Sequence, residues 1–333
     1  MALVSVVTPV YNGEEYLEEC IRSVLAQSFQ DWEYVIFDNG STDRTPQIIR
    51  SFSADSRIRV VVNRETLPVG ESFNRAAALP SPGTRYLKFL CADDLLFPNC
   101  LELMVGVAEA HPEVCLVGSY KIEGDRAIVE GPPYPQEVVD GREVCRWFFQ
   151  GRRSILGSET SHLLRLPAPL VDGELFDRRF PKHSDTELFV RLLRDGRSFG
   201  FVHQVLTFTR EHPSSVSVTQ SRAMGTGLLE YQAIIKMHGA SFLPPPDLRA
   251  VTREQKRDYR YYFFRSLLSP QWRKIRDYHV SYWAGQGVKM GPLRLAGTAL
   301  AGAAVLVTRP ADAWRRARRK LKGPSAQPGD PRT

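Results

Sequence analysis

Two patterns of apolar positions alternate along the first hundred residues. Continuous apolar and β-branched runs such as Leu3–Val10 are typical of strands that are buried on both faces. The apolar positions within 17–25 instead recur at the spacing of one helical face. Further strands are predicted over 33–37, 58–62 and 86–90, and further helices over 73–79 and after Thr45, with Thr45 as N-cap and Pro46 as the first helical residue. Strands that alternate with helices predict an α/β fold with a mostly parallel sheet.

The alternation becomes less regular after residue 95. It still predicts helices over 98–109, 143–149 and 185–193, and strands over 114–118 and 199–209. Near Ser217 it ends, and helical patterning continues from Met224 with a break at Pro244–Pro246. We therefore expect an α/β domain over 1–217, a mainly helical region over 218–322 and a disordered tail over 323–333.

The cysteines indicate a reducing compartment. The chain of 333 residues has five cysteines, an odd number, and no C-x-x-C pair, which argues against a disulfide scaffold and against structural zinc. Leu3–Val10 is too short for the apolar region of a signal peptide. We therefore expect a cytoplasmic protein.

The net charge of +7 is concentrated at the C-terminal end. From Arg309 onwards the chain has eight basic and two acidic residues, so the preceding 308 residues are nearly neutral. A basic tail on a neutral body predicts a surface contact and argues against a nucleic-acid groove. The apolar run over 295–307 is too short to span a bilayer. Residues 293–322 could instead lie on an anionic membrane surface, or form a buried helix followed by a solvated tail.

Acidic residues follow two of the predicted strands. Asp38 is followed by Asn39-Gly40-Ser41, and Asp93 and Asp94 come shortly after the strand at 86–90. Ligands of doubly wound folds bind at the carboxyl ends of the strands. Two adjacent carboxylates can hold a divalent cation that neutralises a diphosphate leaving group, and Asp38 can accept a hydrogen bond from a base or a ribose. The alternatives are a helix cap for the acidic pair and an ordinary turn for Asp38.

A third carboxylate, Asp185, lies at the start of a predicted helix. In that position it can act as a general base toward an acceptor hydroxyl group. The alternative is an acidic residue of the first turn that only stabilises the helix dipole.

Several consecutive segments resemble the family 2 inverting glycosyltransferases. The similarity lies in Val4–Asn12, Leu17–Ser28 and Asp38–Asp43, which agree with that family in order and in spacing. It is specific over about the first 95 residues, weaker through the Asp185 helix to about residue 217, and absent from the last hundred or so residues. The resemblance implies a GT-A fold with a Rossmann-like sheet, and the transfer of a sugar from a nucleotide diphosphate to a hydroxyl acceptor.

The resemblance also implies roles for individual residues. Thr8, Pro9 and Tyr11 would line the nucleotide pocket, Asp38 would contact the base, Asp93 and Asp94 would bind the ribose and Mg²⁺ or Mn²⁺, and Asp185 would be the catalytic base. The segment Arg210–Ser217 is similar to an R-x-H-x-x-S-x-S loop, in which His212 would reach the diphosphate or the metal; the alternative is a solvent-exposed histidine.

Three positions depart from the family pattern. Cys91 stands where many relatives have the first Asp of D-x-D-D, Asn39 replaces a frequent Asp, and Ser184 replaces the frequent Glu before the base. A neutral thiol is a poor ligand for a hard cation. Because of these departures, a second class of function stays open: a protein that binds nucleotide sugars or glycans without catalysing transfer. A nucleotidyltransferase is disfavoured because the turn after the first strand is acidic and lacks a glycine-rich basic loop.

The implied reaction is an inverting one, because a single base opposite the leaving group gives direct displacement. The sequence favours UDP or dTDP sugars, since an acceptor at Asp38 can pair with a pyrimidine imide N–H, although guanine offers N–H donors too. The acceptor would be a glycan or a lipid-linked hydroxyl compound of polysaccharide or glycolipid biosynthesis.

Overall fold

The computed structural model describes residues 2–213, 215 and 224–308. Strands make up a single mixed sheet in this part of the chain. They are β1 (Val4–Val10), β2 (Trp32–Asp38), β3 (Ile58–Val62), β4 (Tyr86–Phe89), β5 (Leu95–Leu96), β6 (Val114–Glu123), β7 (Arg126–Ile128), β8 (Val138–Asp140), β9 (His162–Arg165) and β10 (Ser198–Thr209).

The strand order is β3-β2-β1-β4-β9-β6-β10-β5, with β7 beside β6 and β8 beside β10. The strands β1 to β4 are parallel, as the alternating pattern predicts. The second half is mixed: β9 runs antiparallel between β4 and β6, whereas β6 and β10 are parallel. Most residue pairs of the sheet are in parallel register, which confirms the expected mostly parallel α/β fold.

The helices flank this sheet and continue into the C-terminal region. They are α1 (Leu17–Leu25), α2 (Thr45–Ser51), α3 (Val69–Ala77), α4 (Cys100–Ala110), α5 (Gly141–Phe149), α6 (Ser184–Leu192), α7 (Thr226–Phe242), α8 (Pro245–Ser266), α9 (Trp272–Gly285) and α10 (Pro292–Thr308). Two short 3₁₀ helices, Arg153–Leu156 and Glu159–Ser161, precede β9.

One helix start differs from the prediction. The N-cap of α2 is Arg44, and Thr45 is already the first helical residue. The Thr45 hydroxyl is engaged elsewhere, because it accepts a hydrogen bond from the Gly13 N–H at 2.8 Å. Asp43 takes over the capping contact by accepting the Thr45 N–H at 2.9 Å. Thr45 therefore links two loops of the sheet edge instead of capping its own helix.

The core lies on the faces of β1, β2 and β4. Every residue of β1 is buried, as expected for a strand covered on both sides. The apolar face of α1 packs on one side of this core, and α4 contributes Leu101 and Met104. This burial fixes the ends of the parallel strands, at which the predicted site residues lie.

Two compact units divide the chain: residues 1–219 with 233–248, and residues 220–232 with 249–333. The predicted boundary at 217 does not anticipate that 233–248 fold with the first unit. The reason is tertiary contact, since His238 bonds to Glu187 and Phe242 packs on Phe149. The second unit has a helical core around Tyr259 and Phe263.

Within the described ranges, no helix combines the length and the apolar character needed to cross a membrane. The predicted tail over 323–333 and the basic segment from Arg309 onwards lie outside the described residues.

Candidate functional site

Two loops meet at the carboxyl edge of β1 and β2. The Asn12 N–H donates to Ser41 Oγ at 2.9 Å, and Asn12 Oδ1 accepts the Thr42 N–H at 2.8 Å. Asn12 adopts a φ of +51°, a left-handed conformation that asparagine tolerates better than most residues. These contacts hold the loop after β1 against the loop after β2.

Asp38 is the last residue of β2 and is almost fully buried. Its Oδ1 accepts the Ser41 N–H at 2.9 Å, which is the ordinary turn that the sequence left open as an alternative. Gly40 has a φ of +80°, and a Cβ there would lie 3.3 Å from the Asn63 carbonyl oxygen. The turn therefore requires glycine, and the contact of Asp38 with a base stays a prediction.

The residues predicted to line the nucleotide pocket differ in exposure. Thr8 is fully buried; its hydroxyl donates to the Leu90 carbonyl at 2.8 Å and lies 2.9 Å from the Tyr34 hydroxyl. Pro9 is also buried, whereas Tyr11 is half exposed. Thr8 thus bonds within the sheet, and its predicted place in the nucleotide pocket stays a prediction. Tyr11 has the exposed surface that a contact with a ligand needs.

Asp94 lies buried at the end of the β4 segment. Its Oδ2 accepts a hydrogen bond from Thr160 Oγ1 at 2.6 Å, and its Oδ1 accepts the Arg210 N–H at 3.0 Å. Burial, with the charge of Asp93 added, raises the pKa of this carboxyl to about 7. Neither bond caps a helix, so the helix-cap alternative does not describe Asp94.

Asp93 is more exposed than Asp94 and faces the loop after β10. Its Oδ2 lies 2.9 Å from His212 Nε2, and its carbonyl accepts from Arg210 Nε at 3.0 Å. The His212 ring also packs on Tyr16, with 4.9 Å between ring centroids. His212 thus contacts Asp93, so the alternative of a solvent-exposed histidine does not describe it, and its contact with the diphosphate or the metal stays a prediction.

Cys91, Asp93 and Asp94 could together hold a metal ion, because one ligand atom of each lies within 4.8 Å of the others. The two carboxylates fit Mg²⁺ or Mn²⁺, which prefer hard oxygen ligands. Cys91 does not fit: burial raises the pKa of its thiol well above the usual value, and its Sγ is 3.7 Å from Glu159 Oε1. The donor set for a hard cation is thus the two aspartates.

Asp185 is the second residue of α6 and is half buried. Its Oδ1 accepts the N–H of Thr186 at 2.7 Å. After burial, its charge is the main cause that raises the pKa of Glu159, a residue that the sequence analysis did not single out. Because Glu159 belongs to no motif and lies 26 positions before Asp185, no local pattern signals this interaction.

One short turn connects the acidic pair to Asp185. Thr160 donates a hydrogen bond to Asp94, and burial and then the charges of Asp185 and Asp94 raise the pKa of the adjacent Glu159. Lys88 stabilises this turn, because its Nζ donates a hydrogen bond to the Thr160 carbonyl at 2.6 Å. The structure therefore brings Asp93, Asp94 and Asp185 to one place, as a shared site requires.

The second carboxylate of α6, that of Glu187, is used differently. Glu187 is buried, and its Oε1 forms an ion pair with Arg191 Nε at 3.1 Å. The same oxygen lies within hydrogen-bond distance of His238 Nε2, at 3.1 Å. Arg191 also donates to the Leu175 carbonyl at 2.7 Å. These bonds fix α6 against the preceding loop and α7, so Glu187 supports the helix that carries Asp185.

Solved structures of glycosyltransferases share this fold. The crystal structure of S. aureus TarS residues 1–349 in complex with UDP-GlcNAc superposes with a TM-score of 0.64 at 16% identity, covering 95% of this chain and 92% of that one. The mannosyltransferase PcManGT of Pyrobaculum calidifontis, in complex with GDP-Man and Mn²⁺, gives a TM-score of 0.55 at 16% identity, covering 96% and 84%. At these identities the similarity establishes the GT-A type of fold.

Sequence comparisons find similarity to glycosyltransferases over parts of the chain. EpsE of Bacillus subtilis, which bears a glycosyltransferase name, is 28% identical over 241 residues, 69% of this chain and 81% of that protein. The Escherichia coli protein WfgD, named a UDP-Glc:alpha-D-GlcNAc-diphosphoundecaprenol beta-1,3-glucosyltransferase, is 32% identical over 136 residues, 41% of this chain and 53% of WfgD. Residues 5–152 match the model of the family called Glycosyl transferase family 2. The chain therefore combines a GT-A type of fold with a similarity to glycosyl transferase family 2 over residues 5–152.

Proposed function

We propose that the protein is an inverting glycosyltransferase that moves a sugar from a nucleotide-diphosphate donor to a hydroxyl acceptor. The observation that carries the proposal is the turn Glu159–Ser161: Thr160 donates a hydrogen bond to Asp94, and burial and then the charge of Asp185 raise the pKa of the adjacent Glu159. Cation-binding carboxylates and a candidate base thus lie at one sheet edge, beside the Asp38 loop. This combination is what a metal-assisted displacement of a diphosphate requires.

Asp93 and Asp94 would hold Mg²⁺ or Mn²⁺, which neutralises the charge on the diphosphate leaving group when bound. Arg210 and His212 stabilise this arrangement, because they bond to the backbone and the side chain of Asp93. Asp38 and Tyr11 lie at the neighbouring strand ends and would contact the nucleotide. UDP and dTDP sugars are the favoured donors, in line with the UDP-GlcNAc complex of TarS and the UDP-Glc in the name of WfgD.

Asp185 would take the proton of the acceptor hydroxyl as its oxygen attacks the anomeric carbon. The C–O bond to the diphosphate breaks as the new C–O bond forms on the opposite face, so the configuration inverts. The proton ends on Asp185, and the electron pair of the broken bond leaves with the nucleoside diphosphate. A retaining reaction through a covalent intermediate would need a separate nucleophile, and Asp185 serves as the base.

A donor panel tests the proposal directly. We expect release of nucleoside diphosphate from one of UDP-, dTDP- and GDP-sugars in the presence of Mg²⁺ or Mn²⁺, and its loss when EDTA is added. Binding of a donor, seen as a rise in Tm, without turnover under any acceptor condition would favour the alternative of a binding protein. Turnover that is unchanged by EDTA would contradict the metal assignment to Asp93 and Asp94.

The acceptor would be a glycan or a lipid-linked hydroxyl compound, as in the diphosphoundecaprenol of the WfgD name. A lipid-linked acceptor would require the protein to reach a membrane surface from the cytoplasm. The helix α10 has the features of such a contact, because Leu293 and Leu300 are 89% and 72% exposed and Arg294 is exposed beside them. The basic residues that follow Arg309 in sequence would add attraction to anionic lipid.

A further inference from the structure

One buried hydroxyl group joins the turn before β9 to the turn that carries the acidic pair. Thr160 Oγ1 donates to Asp94 Oδ2 at 2.6 Å and accepts the Cys91 N–H at 3.2 Å. Because the amide occupies a lone pair of the hydroxyl oxygen, the single hydroxyl proton is left for the carboxylate. The distance of 2.6 Å is typical of a charge-assisted bond from a hydroxyl group to an ionised oxygen.

The Asp94 carboxylate is held at both of its oxygens. Oδ2 accepts the Thr160 hydroxyl, and Oδ1 accepts the Arg210 N–H at 3.0 Å. One donor comes from the turn before β9 and the other from the segment after β10, so two separate parts of the chain fix this side chain. A carboxylate oxygen can accept more than one bond, and each oxygen of Asp94 therefore keeps a lone pair for a cation.

Thr160 is itself fixed in place. Its carbonyl accepts a hydrogen bond from Lys88 Nζ at 2.6 Å, and Ser161 Oγ donates to the Gly157 carbonyl at 2.6 Å within the same turn. The exposed fractions of Thr160 and Asp94 are 0% and 2%. Bulk water therefore has little access to replace the hydroxyl group if it is removed.

We propose that Thr160 is the positioning residue of Asp94: its hydroxyl group holds the Asp94 carboxylate in the orientation in which Asp93 and Asp94 together bind a divalent cation. This inference rests on the proposed function. The candidate ligand oxygens of the two aspartates lie within 4.8 Å of each other. Without the hydroxyl, Asp94 keeps only the donor at Oδ1 and its carboxylate can rotate, so the pair is no longer preorganised for an ion.

The same bonds show why a cysteine is tolerated at position 91. Cys91 contributes through its backbone, because its N–H donates to Thr160 Oγ1 and its carbonyl accepts the Asp94 N–H at 3.0 Å. Neither contact depends on the side chain. The departure from the family pattern at Cys91 therefore leaves the support of Asp94 in place.

The test compares Thr160→Val, Thr160→Ser and the wild type in the full-length protein. Valine has nearly the size of threonine but lacks the hydroxyl group, which serine retains. Binding of Mn²⁺ is measured from the EPR signal of the free ion, with protein alone and with UDP, dTDP or GDP added, each corrected for Mn²⁺ bound by the nucleotide. We expect the Kd for Mn²⁺ to rise about 10- to 100-fold in Thr160→Val and to stay near the wild-type value in Thr160→Ser.

Transfer assays give a second measurement. The Mn²⁺ concentration for half-maximal rate should rise in Thr160→Val as the Kd does, whereas kcat at saturating Mn²⁺ should change much less. This split is expected because the hydroxyl group orients a metal ligand and takes no part in the transfer itself. An equal loss of kcat at saturating Mn²⁺ and at low Mn²⁺ would contradict the inference.

Thr207→Val is the matched control. Thr207 is fully buried in the same sheet, and its hydroxyl group has no hydrogen-bond partner in the part of the chain that the structure describes. This variant should bind Mn²⁺ as the wild type does.

Two results would overturn the role of Thr160 and leave the proposed function standing. One is a Thr160→Val protein with the Tm and the Mn²⁺ affinity of the wild type. The other is a folded Thr160→Ser protein that binds Mn²⁺ as weakly as Thr160→Val, since the hydroxyl group would then not be what matters. A wild type that binds no Mn²⁺ under any of these conditions would overturn the inference together with the metal assignment, so the failures are distinguishable.

Discussion

At the scale of single residues, chemically similar carboxylates of the site differ in their burial and in their partners. Asp94 is buried with one hydrogen bond to each carboxylate oxygen, Asp93 is paired with a histidine, and Asp185 is half buried at a helix start. Glu187, two positions after Asp185, is bonded to Arg191 and His238. Chemical type alone does not distinguish these groups; burial and partners do.

Asp185→Asn is the direct test of the base. The amide keeps the size of the side chain but cannot take a proton, so we expect kcat to fall by about 10²- to 10⁴-fold while the affinity for the donor is retained. Single-turnover transfer and donor binding by calorimetry would measure the two effects separately. Asp195→Asn, at an exposed aspartate that pairs with Arg194, is the control. Normal turnover of the Asp185 variant would remove the residue from the mechanism.

At the scale of elements, Asn39 departs from the family pattern, and its contacts with a neighbouring loop give a structural reason for the departure. Its side chain spans the loop after β3, donating to the Leu67 carbonyl and accepting the Leu67 N–H, both at 2.9 Å. An amide can do both, whereas an ionised carboxylate can only accept. Asn39 therefore matches this loop better than the aspartate that many relatives carry.

Asn39→Asp is expected to destabilise the first unit by about 1–3 kcal/mol, because the Leu67 carbonyl would lose its donor and face a negative charge. Urea unfolding at pH 7 measures the change. Asp31→Asn is the control: it exchanges the same two residue types in the opposite direction, at an exposed side chain before β2. An Asn39→Asp protein as stable as the wild type would show that the amide donor contributes nothing to this loop.

At the scale of the whole molecule, each unit contains a buried histidine that must be neutral. Burial lowers the pKa of His162 in the first unit and of His279 in the second to about 4. Unfolding restores a value of about 6.5, so between these values the unfolded chain binds more protons than the native one. Each histidine therefore contributes stability that is present above about pH 6.5 and lost as the pH falls toward 4.

His279→Gln tests this contribution in the second unit. We expect the wild type to lose about 2 kcal/mol through His279 between pH 7 and pH 5, and the variant to lack that part of the loss. Urea unfolding at the two pH values gives the difference. The exposed His111 provides the control variant His111→Gln, whose pH dependence should match the wild type. An equal pH dependence in the His279 variant would contradict the assignment.

Contact with a membrane is a second prediction at the scale of the whole molecule. Replacing both Leu293 and Leu300 by Ser should weaken co-sedimentation with anionic vesicles several-fold, since exposed apolar area and basic charge act together in such contacts. Leu268→Ser is the matched control, because Leu268 is 87% exposed and lies outside α10. Binding that is unaffected by the double variant, or by salt, would end the proposal for α10.

The sequence by itself determined the parallel half of the sheet and the places of its acidic strand ends. This was possible because strands, crossover helices and turns are encoded by short-range periodicity, and parallel strands bring their carboxyl ends to one edge. It also indicated the similarity to family 2 glycosyltransferases, through motifs that lie close together along the chain.

Only the tertiary structure decided how those residues are used. The hydrogen bond from Thr160 to Asp94, the burial of Thr8 and the folding of residues 233–248 with the first unit all depend on contacts between distant positions. No period or motif encodes such contacts. They arise when packing removes water from polar groups, which must then find partners in the fold.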